Sequence, residues 1–335
     1  MNFFCTYCDR GYAARLLCLH GSLRDQGEPF RLYVLCFDAA TEVVVAAQND
    51  PSLVAVPLAE LLAADPAYAA VRATRSRVEF YFTATPVITR HCLARAPEAE
   101  VMTYLDADLF FFGPASEVFA EQGDASVGIV PHRFTARSER SRRHGTYNVA
   151  WVSFRRDAAG LACLEWWRER CLEWCHDRVE AGRFADQGYL DEFPRKFAGV
   201  RALEHPGINA APWNVEPAEL DCAGGRPRLR GRPVLFYHFQ GIREVSPGWF
   251  DPGLRNYHLP LTGGLRDWLY LPYLRRLTEQ QARLRCHGIE PVIGYPRLPG
   301  GYDLSAIWER FRARPVWTAW RRLRGTLIHC PEPAA

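Results

Sequence analysis

From its second residue the chain alternates short apolar runs with segments patterned as helices, and this alternation constrains the fold more than any other feature. "NFFCTY" reads as a strand and "DRGYAARLLCLHGSLRDQG" as a helix with Tyr12, Leu16, Leu19 and Leu23 on one side. "FRLYVLCFD" is a second strand, followed by an alanine-rich helical stretch and the short strand "SLVAVPL". A helical segment over about 77–95, which Pro86 is expected to kink or break, leads to the strand "VMTYL". The order βαβαβαβ calls for a mostly parallel sheet covered on both faces. Beyond residue 125 the pattern is mixed. "SVGIVPHRF" and "YNVAWVSF" read as strands, the aromatic-rich 158–180 as a helix, and "PVLFYHFQG" as one more apolar strand after a loop-rich segment. The last 70 residues are helical in pattern, and no internal repeat is present.

At 335 residues, 48% of them hydrophobic, the chain can bury a full core as one large α/β domain or two smaller ones. Its 41 basic residues nearly balance 38 acidic ones, so no overall field draws it to nucleic acid. Lys196 is the single lysine, and it stands in "FPRKFAG", far from any glycine-rich loop, which excludes a phosphate-loop NTPase. Phosphate recognition then falls to arginine, whose planar fork suits it. The opening residues lack a basic region followed by a clean apolar one, and no stretch reaches about 18 uninterrupted apolar residues. A cytoplasmic protein is expected. In that setting the eleven cysteines are expected to be free, buried thiols. Cys5 and Cys8 have redox or zinc spacing but no second pair nearby, and core packing accounts for Cys171 and Cys175.

"VMTYLDADLFFFGP" places Asp106 and Asp108 where a central strand leaves the sheet. Open parallel sheets bind ligands beyond the carboxyl ends of their strands. Period-2 alternation puts both carboxylates on one side, where like charges repel unless one is protonated or a cation intervenes. Hard oxygen ligands suit Mg²⁺ or Mn²⁺. The alternative is a pair of solvated turn aspartates.

The opening strand and helix with "CDRGYAARLLC", then "TYLDADLFF", "GTYNVAWVSF", "FADQGYLDEF" and "FYHFQGIR", occur in an order and spacing that resemble nucleotide-sugar glycosyltransferases of the GT-A fold. The likeness is greatest to the retaining group that contains glycogenin and the bacterial lipooligosaccharide galactosyltransferases. It spans about residues 3–250 and implies a Rossmann-like mixed α/β sheet with helices on both faces, followed by a helical C-terminal extension. It also implies hexosyl transfer from a nucleotide sugar, a UDP-sugar, to a glycan or lipid-linked acceptor.

That resemblance assigns residues. The DxD pair, Asp106 and Asp108, would hold Mn²⁺ or Mg²⁺ against the donor diphosphate, with His238 of "HFQG" as a third ligand; without the glycine at that offset, a lone histidine in an apolar strand reads as core. The family's Lys-Pro-Trp after this motif is replaced by Ile242-Arg243-Glu244-Val245, so Arg243 either takes the lysine's place on the phosphates or is a surface arginine. Asp186 and Gln187 match the Asp-Gln pair beneath the transferred sugar, although Asp186 also suits a helix N-cap. Asn148 matches an asparagine near the donor sugar and acceptor. Thr6, Tyr7 and Asp9 fall where the family meets the base, and Asp38 closes the second strand where acids meet a ribose. Arg75 and Arg77 stand where one could reach the diphosphate, or begin a helix in solvent. Trp213 of "NAAPWN" is either a sugar platform or a loop anchor.

The boundaries expected are 1–255 for the glycosyltransferase domain, with a nucleotide-binding half (1–115) and an acceptor half (116–255), and 256–335 for the helical extension. In residues 308–328 Arg310, Arg312, Arg314, Arg321, Arg322 and Arg324 alternate with Trp308, Phe311, Trp317 and Trp320, and Pro315 divides the segment into two short helical pieces. Such a segment suits peripheral contact with an anionic membrane, or a terminal helix packed on the body with its arginines in solvent.

Overall fold

A computed structural model describes residues 1–286, 288–289 and 315–333. The first half follows the alternation: β1 Asn2–Cys8, α1 Ala13–Arg24, β2 Phe30–Cys36, α2 Ala39–Ala47, β3 Leu53–Pro57, α3 Leu58–Ala64, α4 Pro66–Val71, α5 Arg77–Arg95 and β4 Val101–Leu105. The chain then forms β5 Leu109–Phe111, α6 Ala115–Gln122, β6 Val127–Pro131, β7 Tyr147–Arg155, α7 Ala158–Glu173, α8 Phe193–Lys196 and β8 Val200–Ala202. β9 Leu220–Ala223, β10 Arg226–Leu229 and β11 Arg232–Pro233 make a small meander before β12 Phe236–His238. A hairpin of β13 Arg243–Ser246 and β14 Trp249–Asp251 precedes the π-helical turn Leu265–Tyr270, α9 Leu271–Cys286, α10 Pro315–Leu323 and β15 Ile328–His329.

The main sheet has seven strands in the order β3-β2-β1-β4-β7-β6-β8. β3, β2, β1 and β4 are parallel, β7 runs antiparallel to both β4 and β6, and β8 is parallel to β6. The expected mixed α/β sheet with helices on both faces is present. Alternation along β1 shows how it is covered: Phe4 and Cys8 join a core with α1 and α9, whereas Phe3 and Cys5 join one with α5 and α7. Both faces are thus dry, which is why the strands read as continuous apolar runs. All eleven cysteines are free, nine of them buried.

Two local expectations are corrected. α5 continues unbroken from Arg77 to Arg95 through Pro86. Proline removes one backbone donor, but the helix is pinned along its length against β1, β4 and α7, and Pro86 itself is buried. α7 ends at Glu173 rather than near 180, and Trp174 turns to extended backbone, leaving Cys175 buried beyond the helix.

Candidate functional site

β4 ends at Leu105, and a tight turn carries Asp106 and Asp108 into β5, with the Asp106 amide donating to the Ala150 carbonyl at 3.2 Å. β5 pairs antiparallel with β12, and this pairing sets His238 opposite Leu109. The Phe239 amide donates to the Asp108 carbonyl at 3.0 Å and that of His238 to the Ala210 carbonyl at 2.8 Å, which fixes the strand. His238 Nε2 consequently lies 3.1 Å from Asp108 Oδ1 and 3.7 Å from Asp106 Oδ2. One ligand atom from each of the three residues falls within 4.8 Å of the others.

The electrostatics are those of a cation site. Burial pushes the Asp106 carboxyl up to about 6, with repulsion from Asp108 adding to it, against the opposing pull of His238 and the Tyr104 hydroxyl. Burial works the same way on Asp108, but His238 and then Arg15 outweigh it and hold that carboxyl below its ordinary range. Two carboxylate oxygens and an imidazole nitrogen converging in a buried place fit Mn²⁺ or Mg²⁺. Arg15 was not singled out from the sequence. It is buried on α1, donates to the Ile242 carbonyl at 2.9 Å and lies over the Tyr12 ring at 4.5 Å. No signal in "YAARLLC" separates it from a surface arginine on a helix.

Asp186 comes to the same region from the far half of the chain. It follows Ala185, which is held at φ +47°, and its side chain makes no cap bond to the 3-10 turn Gln187–Glu192 behind it. Asp186 thus stands at the N-cap position of the turn, without the side-chain cap bond that reading expected. The carboxyl is buried, its Oδ2 has no hydrogen-bond partner, and burial raises it to about 7 despite the Thr85 hydroxyl, with the charge of Asp106 adding to the rise. Tyr7 feels the charges of both Asp186 and Asp106, so the end of β1 meets this group.

Gln187 and Asn148 form a locked amide pair. Asn148 Nδ2 donates to Gln187 Oε1 at 2.9 Å, and Gln187 Nε2 donates to the His144 carbonyl at 2.8 Å. The second Asn148 proton faces His132 Nε2 at 3.2 Å, and Asn148 Oδ1 accepts from the Ala150 amide at 3.2 Å. His132 Nδ1 lies 3.3 Å from the Thr146 carbonyl, and burial lowers its pKa to about 3. These partners assign a neutral ring protonated at Nδ1 and accepting at Nε2. His132, too, escaped the sequence reading, because "VPHRF" places it at a strand end with no motif around it. Trp213 stands edge-on to His238 at 5.2 Å and to His132 at 5.6 Å, so it joins the Asp106, Asp108 and His238 group to the amide pair.

At the ends of β1 and β2 the placements divide. Tyr7 packs with Phe37, Tyr81 and Tyr104, and Asp9 pairs with Arg77 and accepts from Tyr81 at 3.2 Å. Thr6 is fully buried. Asp38 is the N-cap of α2, accepting from the Thr41 amide at 2.9 Å and the Arg10 amide at 3.0 Å. Arg75 is turned away: its guanidinium donates to the carbonyls of Leu172 and Glu173 at the end of α7. Arg243 heads β13 opposite Asp251, while Glu244, next in sequence, accepts from the Gly248 amide and Gln281. Behind the "HFQG" turn, Gly241 and Gly253 both have positive φ, and a Cβ on Gly253 would lie 2.9 Å from the Gly241 carbonyl oxygen.

Fold and site together define an α/β protein with a mixed seven-stranded sheet and an Asp-x-Asp pair that a distant histidine joins. The chain belongs to the family of YfnF, an uncharacterized protein of Bacillus subtilis (strain 168), to which it is 35% identical over 251 residues, 72% of this chain and 82% of that protein. YfnD, an uncharacterized protein of the same organism, is 28% identical over 277 residues, 82% of this chain and 88% of its own. No family model matches the sequence. The solved structure of the galactosyltransferase LgtC with donor and acceptor sugar analogues is similar over 83% of this chain and 95% of its own, at 16% identity and a TM-score of 0.46.

Proposed function

We propose that the protein is a divalent-metal-dependent glycosyltransferase that moves a hexose from a UDP-sugar to a hydroxyl of a glycan or lipid-linked acceptor, with retention at the anomeric carbon. The observation that carries this reading is the convergence of Asp106, Asp108 and His238 at the carboxyl end of the central strand, with a further buried carboxylate, Asp186, close enough to feel the charge of Asp106. Those three residues would hold Mn²⁺ or Mg²⁺, which when bound offsets the charge developing on the departing diphosphate. Tyr7, Asp9 and Arg77 lie where the nucleotide would enter, and Arg243 and Arg15 supply positive charge on either side of the "HFQG" turn. The locked amides of Asn148 and Gln187 present fixed donors and acceptors to sugar hydroxyls, and Asp186 would stabilise positive charge on the reacting carbon.

Release of UDP from UDP-glucose or UDP-galactose in the presence of Mn²⁺, abolished by chelation, tests the activity. Absence of metal-dependent binding and turnover with every common UDP-sugar overturns it. Proton NMR of the first-formed product decides retention, and an inverted anomer refutes that part alone.

The same reading places the protein at the cytoplasmic face of a membrane, touching it through 308–328. Within that segment Trp308, Arg310, Phe311, Arg312 and Arg314 lie outside the described residues. α10 turns Arg321 inward to Asp251 at 2.6 Å and sets Arg322 over Trp249, while Leu323 is exposed and Trp320 partly so. Among the described residues no helix is long and apolar enough to cross a membrane. Sedimentation with anionic vesicles tests this contact, and equal binding by a chain shortened to residue 305 rejects it.

A further inference from the structure

The loop joining β6 to β7, residues 132–146, carries five arginines against one acid, Glu139. Two of them hold the loop in place. Arg133 donates to the carbonyls of Leu203 and Ile208, and Arg137 pairs with Glu216 at 2.6 Å and donates to the Val215 carbonyl. The other three stand exposed on the 3-10 turn Glu139–His144. Arg142 pairs with Glu139 at 2.6 Å. Arg140 makes no ion pair among the described residues, and Arg143 reaches only the neighbouring His144 ring, at 3.3 Å.

Some exposed arginines elsewhere have acids beside them, as Arg178 has Glu180, Arg230 has Glu219 and Arg266 has Asp267, so the lack of one at Arg140 and Arg143 does not by itself mark a site. An isolated charge run is ordinarily a solvated face, and position separates this one from that reading. On one side the Thr135 amide and the Ser138 hydroxyl donate to the Trp213 carbonyl at 3.1 and 2.5 Å, and the Trp213 ring borders His238. On the other, Gln187 donates to the His144 carbonyl, and Asp191 accepts from the Thr146 amide at 2.9 Å. The loop that carries the basic turn is therefore anchored between Trp213, whose ring borders His238, and the amide pair, beside which a sugar acceptor would arrive on the glycosyltransferase reading. Arg142 is paired with Glu139, which leaves Arg140 and Arg143 as exposed guanidinium forks from which an incoming phosphate would accept charge-assisted hydrogen bonds.

We infer that this turn binds a phosphate group of the acceptor, so that the substrate class is a phosphate-bearing saccharide and Arg140 and Arg143 are specificity-determining residues. The inference rests on the glycosyltransferase reading. The phosphate belongs either to a diphosphate linking the sugar to a lipid or to a phosphate ester on the glycan, and the chemistry recognised is the same.

The test uses the full chain with Mn²⁺ and a UDP-sugar and compares three acceptors: octyl glucoside, octyl glucoside 6-phosphate and farnesyl diphosphoglucose. At low salt, KM for one phosphorylated acceptor is expected to be at least about 10-fold below that for octyl glucoside. The gap should narrow at high salt. It should vanish in the double variant R140Q/R143Q, while hydrolysis of the donor without acceptor stays unchanged. Which phosphorylated acceptor responds identifies the source of the phosphate. Equal use of all three by the wild type, or a preference that survives in the double variant, overturns the inference. Calorimetric binding of octyl glucoside 6-phosphate is measured in parallel. If no UDP-sugar turns over, the transferase reading fails on its own, and binding lost in R140Q/R143Q still supports a phosphate site, whereas binding unchanged removes it.

Discussion

Beside β1 and β2, the carboxylates already have protein donors: Asp9 is held by Arg77 and Tyr81, and Asp38 by the amides of Arg10 and Thr41. Beyond β4 and β12 the opposite holds, for Asp186 Oδ2, His238 Nδ1 and Trp213 Nε1 are buried without a hydrogen-bond partner. A buried polar atom left so costs about 1–3 kcal/mol. The carboxylates of the first region are held by protein groups, whereas the unpartnered atoms of the second carry a cost that a bound ligand would offset, and the two should respond differently to substitution.

The largest expected effect is at the metal group. Asp108→Asn keeps shape and volume but removes the charge that faces His238, and metal-dependent turnover should fall by about 1000-fold or more. The unfolding midpoint should fall only slightly, because relief of the repulsion on Asp106 offsets part of the lost attraction of Asp108 to His238 and Arg15. A loss of stability as large as the one expected at Asp65 would mean that this region is scaffold like the other. The reverse result is expected at Asp65, which accepts two 2.7 Å bonds from Arg168 and caps α4 through the Tyr68 amide. Arg168→Leu leaves a buried carboxylate unpaired and should cost about 3 kcal/mol in denaturant unfolding, with kcat of the remaining folded enzyme unchanged.

A smaller effect sharpens the comparison inside the site. His132→Leu removes the acceptor that orients Asn148, and kcat should fall about 10-fold with donor KM little changed. His132→Gln, which can offer an oxygen at the same place, should recover most of the loss. Equal behaviour of the two variants would show that His132 only fills space.

A pH dependence is expected beside Asp50 and Ser52. His20 is buried beside Ser52, and desolvation lowers its pKa to about 4, against the attraction of Asp50. Its unfolded value is about 6.5. Between those values the unfolded chain binds more protons, so the contribution of His20 is complete above about 6.5 and is lost as pH falls towards 4. The urea midpoint should decline over that window, and less steeply in His20→Gln.

Much of this was legible in the residues themselves. Strands buried on both faces produce unbroken apolar runs, and amphipathic helices produce a 3.6-residue period, so the alternation from β1 to β4 could be read directly, as could the carboxylates at a strand end and the thiols of a dry core. What could not be read depends on which strand lies beside which. His238 could be named beside Asp108 only through the family resemblance, because their approach depends on β12 pairing with β5, and Arg15 is buried only because α1 is covered by α9. His132 matters only because β6 and β7 bring it to Asn148. Pro86 leaves α5 intact because the sheet and α7 hold the helix, and Arg75 turns from the site because the end of α7 offers it carbonyls. Local pattern reports how much of a residue is covered, since burial and hydrophobicity are tied by solvent. It does not report the covering partner, which is chosen by sheet order and register among segments far apart in the chain.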